Sequence, residues 1–401
     1  SYERRKKRNK EMKINIIGNL LGIDGYSNHT KGLVNALYKI NPDIKLDIPL
    51  QQGWEQQVND AELAMIKNIH GTPDVTIAIA TPPFWRICLG DKTKHFIGFL
   101  VWEGDKIPKY WIEYLMDERV DQIWVPSLHT KDAICQTFRE SASTEDYMSD
   151  YHKKIKIVPH GYDPEIFNRH QVKTPSFKEQ LDDRISKDES SCLPNTTPFK
   201  FIVNKGWRGG MEDRGGVQYV LQAYANEFKK DENVELLLKL NPSYINAAIV
   251  SQKINELNLP KDGGKIKIAC ANVSQEDLAK LYNDSDVCVC ATRAEAFDLG
   301  TAEAMACGLP IITTNYGGQI EHMDKTCAGF IDYELKEVKG DLLYEGIKQA
   351  VPNTQHLQKL LRAAFSTPNI AIEKGNNAKE FIKSFTWDKS AEKAIRFLKE
   401  L

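Results

Sequence analysis

The 401-residue chain has no run approaching the ~18 consecutive apolar residues that span a bilayer, and its first twelve residues are basic and polar, with no apolar core. A soluble, unsecreted, cytoplasmic protein is the expectation. Charge of one sign is also missing: 53 Lys and Arg stand against 55 Asp and Glu, which excludes a nucleic-acid coat working by bulk electrostatics. No C-x-x-C pair occurs among the eight cysteines at 88, 135, 192, 270, 288, 290, 307 and 327, and none has a neighbouring histidine at zinc-ligand spacing. Buried free thiols in a reducing compartment account for them, Cys288 and Cys290 sharing one face of a strand. No solenoid-type repeat is visible.

What is present is an alternation of short β-branched runs with segments of helical period. Strands are expected at Ile14–Ile17, Val75–Ala80, His95–Val101, Gln122–Val125 and Ile155–Val158, and helices at Thr30–Tyr38, Ala61–Ile69, Pro108–Asp117 and Thr130–Thr137. Residues 168–198 break the pattern with a polar, proline-punctuated stretch, read as a linker and mobile loop. A second series follows, with strands at Phe199–Val203, Val234–Leu240, Ile266–Ala269, Val287–Ala291 and Pro310–Thr314 and helices near 215–228, 243–256, 274–283 and 301–307. Such alternation implies parallel sheets with helices on both faces, hence two α/β sheets joined by one linker. The expected division is a basic tail at 1–12, domains at 13–167 and 199–384, and an amphipathic final helix within 385–401. The Arg4–Arg8 basic run reads as a solvated tail, or alternatively as a weak peripheral contact with an acidic membrane surface.

The richest stretch runs from Ala291 to Pro310. A strand leads into a loop with Glu295, and a helix opens near Leu299 or Gly300, placing the amides of Phe297, Asp298, Leu299 and Gly300 at a helix N-terminus suited to an anion. Glu303 lies eight residues after Glu295, so one carboxylate is placed to face a sugar and the other the ribose of one ligand. The only D-x-D of this half, Asp284-Ser-Asp286, precedes its strand, on the wrong side of a parallel sheet for a metal at the ligand end.

These two glutamates with Phe297-Asp-Leu-Gly between them and Glu-Ala-Met-Ala-Cys-Gly-Leu-Pro after resemble the E-x7-E signature of family 4 glycosyltransferases, retaining enzymes of the GT-B fold. Ile157 to Phe167, Trp124-Val-Pro-Ser127, Phe199 to Gly216 and Phe385-Thr-Trp387 resemble further family segments in the family's order, covering about residues 14 to 401. The resemblance implies two Rossmann-like, doubly wound domains facing a cleft, an N-terminal acceptor half and a C-terminal donor half, with the last helix crossing back. It implies a retaining, metal-independent transferase with no cofactor, moving a hexose-type sugar from a nucleoside-diphosphate sugar to a hydroxyl of a glycan, lipid-linked, protein or small-molecule acceptor. Glu295 would orient the sugar and Glu303 hold the ribose. Arg208 matches the family's phosphate-binding arginine; Arg214 stands near its lysine, at longer spacing, with Lys205 as the substitute, so the second cation is open.

In the N-terminal half, glycines 18, 22 and 25 lack the G-x-G-x-x-G spacing, and the resemblance instead brings Gly25 and Tyr26 toward the donor phosphate. A plain strand-to-helix turn is the alternative. Trp102, Glu103 and Asp105 fall at the carboxyl end of a strand, where open α/β sheets bind ligands. Glu103 is the candidate sugar or acceptor contact, Asp105 and Trp102 lie beside it, and His160 is either a supporting contact or a structural histidine. The competing readings are a catalytically silent GT-B subunit binding a partner transferase or polypeptide, and a GT-B phosphorylase or epimerase, the former of which would need a pyridoxal-phosphate lysine for which no motif is seen.

Overall fold

The computed structural model describes residues 12–49, 57–69, 71–90, 92–141, 151–169 and 197–401. The Arg4–Arg8 run, Cys192 and nearly all of the expected linker lie outside them. The chain divides into two compact units, one comprising residues 1–102, 106–161 and 387–401, the other 103–105 and 162–386. Among the described residues no helix is long and apolar enough to cross a membrane.

The first unit is built on β1 (Ile14–Gly18), β2 (Ile44–Asp47), β3 (Val75–Ile79), β4 (His95–Phe99), β5 (Gln122–Val125) and β6 (Ile155–Ile157), all parallel in the order β2-β1-β3-β4-β5-β6. The central strands β1 and β3 are buried along their whole length, as in a sheet covered on both faces, and are apolar but for the buried Asn15 and Thr76. Connecting helices are α1 (Gly25–Ile40), α2 (Asp60–Lys67), α3 (Pro82–Cys88), α4 (Ile112–Leu115) and α5 (Leu128–Ser141). The Ser127 hydroxyl accepts the Thr130 N–H (3.2 Å) at the start of α5, the cap expected there. Helix α1 begins five residues earlier than Thr30, because Asp24 accepts the Ser27 N–H (2.8 Å) as its N-cap. The terminal helix Trp387–Leu398 packs on α1 and buries Ala391, Ala394 and Leu398. Gly32 admits Trp387: a Cβ there would lie 2.1 Å from the indole.

The second unit holds β7 (Phe199–Lys205), β8 (Val234–Leu240), β9 (Lys265–Cys270), β10 (Val287–Cys290), β11 (Ile311–Thr314) and β12 (Ala328–Ile331), parallel in the order β12-β11-β10-β7-β8-β9. Strand order reverses between β7 and β10, and open α/β sheets bind ligands outside the carboxyl ends of strands at that reversal. Its helices are α6 (Val217–Glu227), α7 (Ala247–Glu256), α8 (Gln275–Asn283), α9 (Leu299–Ala306), α10 (Thr354–Ser366) and α11 (Pro368–Ile382). An antiparallel hairpin, β13 (Tyr333–Glu337) and β14 (Lys348–Pro352), stands apart from the parallel sheet. Tyr162 and Phe167, expected with the first domain, lie in the second unit's core, where the Tyr162 N–H donates to the Phe385 carbonyl (3.1 Å).

Candidate active site

Lys205 ends β7 and Glu295 follows β10, so the topology alone brings the two beside the point of strand reversal. The Lys205 ammonium lies 2.9 Å from a Glu295 carboxylate oxygen and 2.9 Å from Asp298. Burial pulls its pKa down, but the charges of Asp298 and Glu295, with the Cys290 thiol beside them, outweigh that and hold it well above the ordinary lysine value. Arg214 reaches the other Glu295 oxygen (3.4 Å) and donates to the Ala294 carbonyl (2.8 Å). Its Nε lies 3.3 Å from Glu103, whose carboxylate also accepts the Tyr344 hydroxyl. Glu103 and Asp105 cluster with this unit, and Asp105 accepts the Lys348 N–H (2.8 Å).

Two cations and two carboxylates thus alternate around Glu295, with the N-terminus of α9 next to them. Asp298 caps that helix in the left-handed region (φ 70°), and its side chain takes the Cys290 thiol hydrogen (2.9 Å) as well as Lys205. Leu299 and Gly300 form the first helical turn and stay half-buried. Glu303, one turn on, is buried; desolvation, with Asp298 adding and Lys239 opposing, pushes its carboxyl up to about 8.

Other expected residues take different places. Arg208 is exposed on the loop after β7; its N–H donates to Asp213 (2.9 Å) and its guanidinium lies 5.9 Å from the Tyr244 ring centre. It makes no ion pair among the described residues, so the cations on Glu295 are Lys205 and Arg214. The Phe297 ring is a core ring packed on His322 (4.5 Å) and Phe385 (6.1 Å), and only its backbone belongs to the anion-facing loop. In the first unit, Gly25 sits in the first turn of α1, where an added Cβ would meet nothing within 4 Å, and the Tyr26 hydroxyl donates to the Val101 carbonyl (2.9 Å). Trp102 is buried, donating to the Lys106 carbonyl (2.6 Å) and meeting Trp111 edge-on. His160 is buried against His29 (4.2 Å between ring centres) and Trp387, the structural alternative for that residue. Asp286 accepts the Lys200 N–H (2.8 Å) at the amino end of β10, a structural task for the D-x-D.

Arg293 escaped the sequence reading. It is 2% exposed and donates to the Glu212 carbonyl (2.7 Å), the Glu212 carboxylate (2.5 Å) and the Ala350 carbonyl (3.2 Å), while its own N–H bonds the Arg214 carbonyl (2.9 Å). It therefore ties the loop bearing Arg208 and Arg214 to β14. Position two before Glu295 was the only signal.

Two six-stranded parallel sheets of this topology, each flanked by helices, are those of the GT-B fold. Residues 206–335 match the family model described as Glycosyl transferases group 1. Among curated proteins, the chain is 23% identical over 272 residues to a probable sucrose-phosphate synthase of Thermosipho melanesiensis, covering 66% of this chain and 52% of that one. It is 26% identical over 167 residues to a D-inositol 3-phosphate glycosyltransferase of Paenarthrobacter aurescens, covering 41% and 36%. The chain spans about half the length, or less, of the curated relatives it matches. In fold it resembles a glycosyltransferase from Rickettsia africae (TM-score 0.63, 17% identity, 98% of each chain). It likewise resembles the Anabaena protein HepE in complex with UDP and glucose (TM-score 0.63, 14% identity, 97% of this chain and all of that one). The match to the group 1 glycosyltransferase family lies in the second unit, and the fold of the whole chain is that of the GT-B glycosyltransferases.

Proposed function

We propose that the protein is a retaining, metal-independent glycosyltransferase that moves a sugar from a nucleoside-diphosphate donor to an acceptor hydroxyl. The observation that carries this is the convergence of Lys205 and Arg214 on Glu295 beside the N-terminus of α9. A departing diphosphate gathers negative charge, and two fixed cations with helix amides stabilise it as it forms. In this reading Lys205 and Arg214 exchange part of their carboxylate contacts for the diphosphate, with Arg208 reaching it from the exposed end of its loop. Glu295, released from one cation, orients the sugar, and Glu303 holds the ribose hydroxyls. A leaving phosphate oxygen accepts the acceptor proton on the face it vacates, so configuration is retained. That HepE was solved with UDP and glucose supports a nucleotide-sugar donor.

Glu295→Gln and Arg214→Ala are expected to lower transfer about a hundredfold or more while circular dichroism stays unchanged. Full transfer rates in both variants would overturn the assignment. The donor is found by thermal shift with UDP-, GDP-, ADP- and dTDP-sugars, since a ligand at 100 times its dissociation constant adds about 2.7 kcal/mol of stability.

A further inference from the structure

The hairpin β13–β14 is the one sheet of the second unit that the site does not use for its strand ends. All five residues of β13 are exposed, Leu335 among them at 46%. Its pairing shows which way each main-chain group points. The Val338 N–H donates to the Ile347 carbonyl (2.9 Å), so in the observed register Lys336 with Gln349 and Glu334 with Val351 are the hydrogen-bonded pairs. Tyr333, Leu335 and Glu337 then direct their N–H and C=O groups away from β14. On the other strand the same alternation turns Ala350 and Lys348 outward, and there the Ala350 groups meet Arg293 and the Lys348 N–H meets Asp105. The outer side of β14 is thus covered, whereas no residue among those described pairs with the outer side of β13.

An uncovered strand edge is a template for another strand. The sequence Tyr333-Glu-Leu-Lys-Glu337 is complementary to itself in the antiparallel sense. Centred on Leu335, a second copy sets Leu335 opposite Leu335, Tyr333 opposite Glu337, and Glu334 opposite Lys336. The outward-pointing residues are the ones this register makes hydrogen-bonded pairs, and the charged pair is repeated on both sides of the two-fold axis. Within one copy Glu334 and Lys336 lie 3.9 Å apart and are 80% and 61% exposed, so both are available to the opposite strand.

We propose that the outer edge of β13 pairs with β13 of a second copy, joining two chains through a continuous four-stranded antiparallel sheet. A five-residue strand buries less than the ~1,200–2,000 Å² of stable complexes, so the dimer dissociates on the order of micromolar concentration.

Sedimentation velocity of the full chain from about 1 to 300 µM tests this. The unaltered chain is expected to shift from monomer to dimer across the range. Glu334→Lys, which sets like charges opposite one another twice, is expected to weaken the dimer about tenfold, and the double change Glu334→Lys with Lys336→Glu to restore it. Leu335→Pro removes an outward N–H while leaving the ladder to β14 intact, and abolishes association. A chain monomeric throughout, a Glu334→Lys variant that dimerises as before, or a double variant no better than the single one overturns the proposal. Nucleotide-induced thermal shifts in the same variants stay unchanged, which separates this inference from the transferase reading.

Discussion

Arg293 holds the candidate site's loop without itself joining the charge cluster on Glu295. Its guanidinium directs its donors to Glu212 and Ala350, and its backbone holds Arg214, so the loop from Gly206 to Gly216 is fastened by the fold itself. Asp213 and Gln218 fasten it further, Asp213 taking the N–H groups of Arg208 (2.9 Å) and Gly215 (2.8 Å) and Gln218 donating to the Asp213 carbonyl (2.8 Å). Arg293→Met is expected to leave buried carbonyls unpaired and to cost about 2–4 kcal/mol in urea unfolding. Under the proposed transferase function it is also expected to raise KM for the donor more than it lowers kcat in steady-state assays, because it loosens the loop bearing Arg208 and Arg214 without touching the reacting bond. Arg293→Lys recovers the stability only in part, since an ammonium lacks the fork that serves two acceptors at once.

At the level of elements, the strand-to-helix turns of the two units make contrasting demands on glycine. Gly216, the N-cap of α6, has φ 75°, and a Cβ there would stand 1.7 Å from the Ala291 carbonyl at the end of β10. Gly216→Ala is expected to lower stability by more than about 3 kcal/mol and to displace the loop that carries Arg214. Gly25 meets no such demand, so Gly25→Ala in the first turn of α1 is expected to raise stability by about 0.5–1 kcal/mol in urea unfolding. The pair of measurements separates a glycine that backbone packing dictates from one that only resemblance singled out. Most central strands and several helices were legible for a plain reason: β1, β3 and β10 are short, mostly apolar runs, and α8 carries a strong apolar stripe, whereas α3, α10, α11 and β12 were not read. Strand β13 escaped notice because all five of its residues face solvent and no apolar period marks it; the edge strand β2 alternates buried Ile44 and Leu46 with Lys45 and Asp47, but four residues are too few for that period to stand out.

For the whole molecule, three buried groups shape stability against pH. His322 is held neutral by burial, its pKa lowered to about 3, and burial together with His160 lowers that of His29 well below 6.5. The unfolded chain takes up protons at these histidines that the folded chain refuses, so each removes about 1.4 kcal/mol of stability per pH unit as pH falls below 6.5, for His322 down to about 3. Glu303 acts in the opposite sense. Its carboxyl, raised to about 8 in the fold, keeps a proton that the unfolded chain gives up above 4.5, so stability declines as pH rises from 4.5 to 8. Between 4.5 and 6.5 the two histidines outweigh one glutamate, and these groups together place the optimum near pH 6.5. Urea midpoints from pH 4 to 9 check this. Glu303→Gln, which mimics the protonated acid, is expected to flatten the alkaline limb and leave the acid limb in place.

What residue order alone determined about this protein was most of the central strands with several of the helices between them, the two α/β halves and the segment from Val287 to Pro310, because apolar period and chain-local motifs are short-range properties. Only the tertiary structure decided which charges meet. Lys205 and Glu295 are ninety residues apart and become neighbours at 2.9 Å because β7 and β10 pair across the strand reversal. Arg208, the better motif match, remains exposed, while Lys205, held only as a substitute, is buried between two carboxylates. Likewise only the tertiary structure shows that Trp102, His160 and Phe297 are buried among other rings. The strand pairing that unites distant positions is a long-range property of the folded chain.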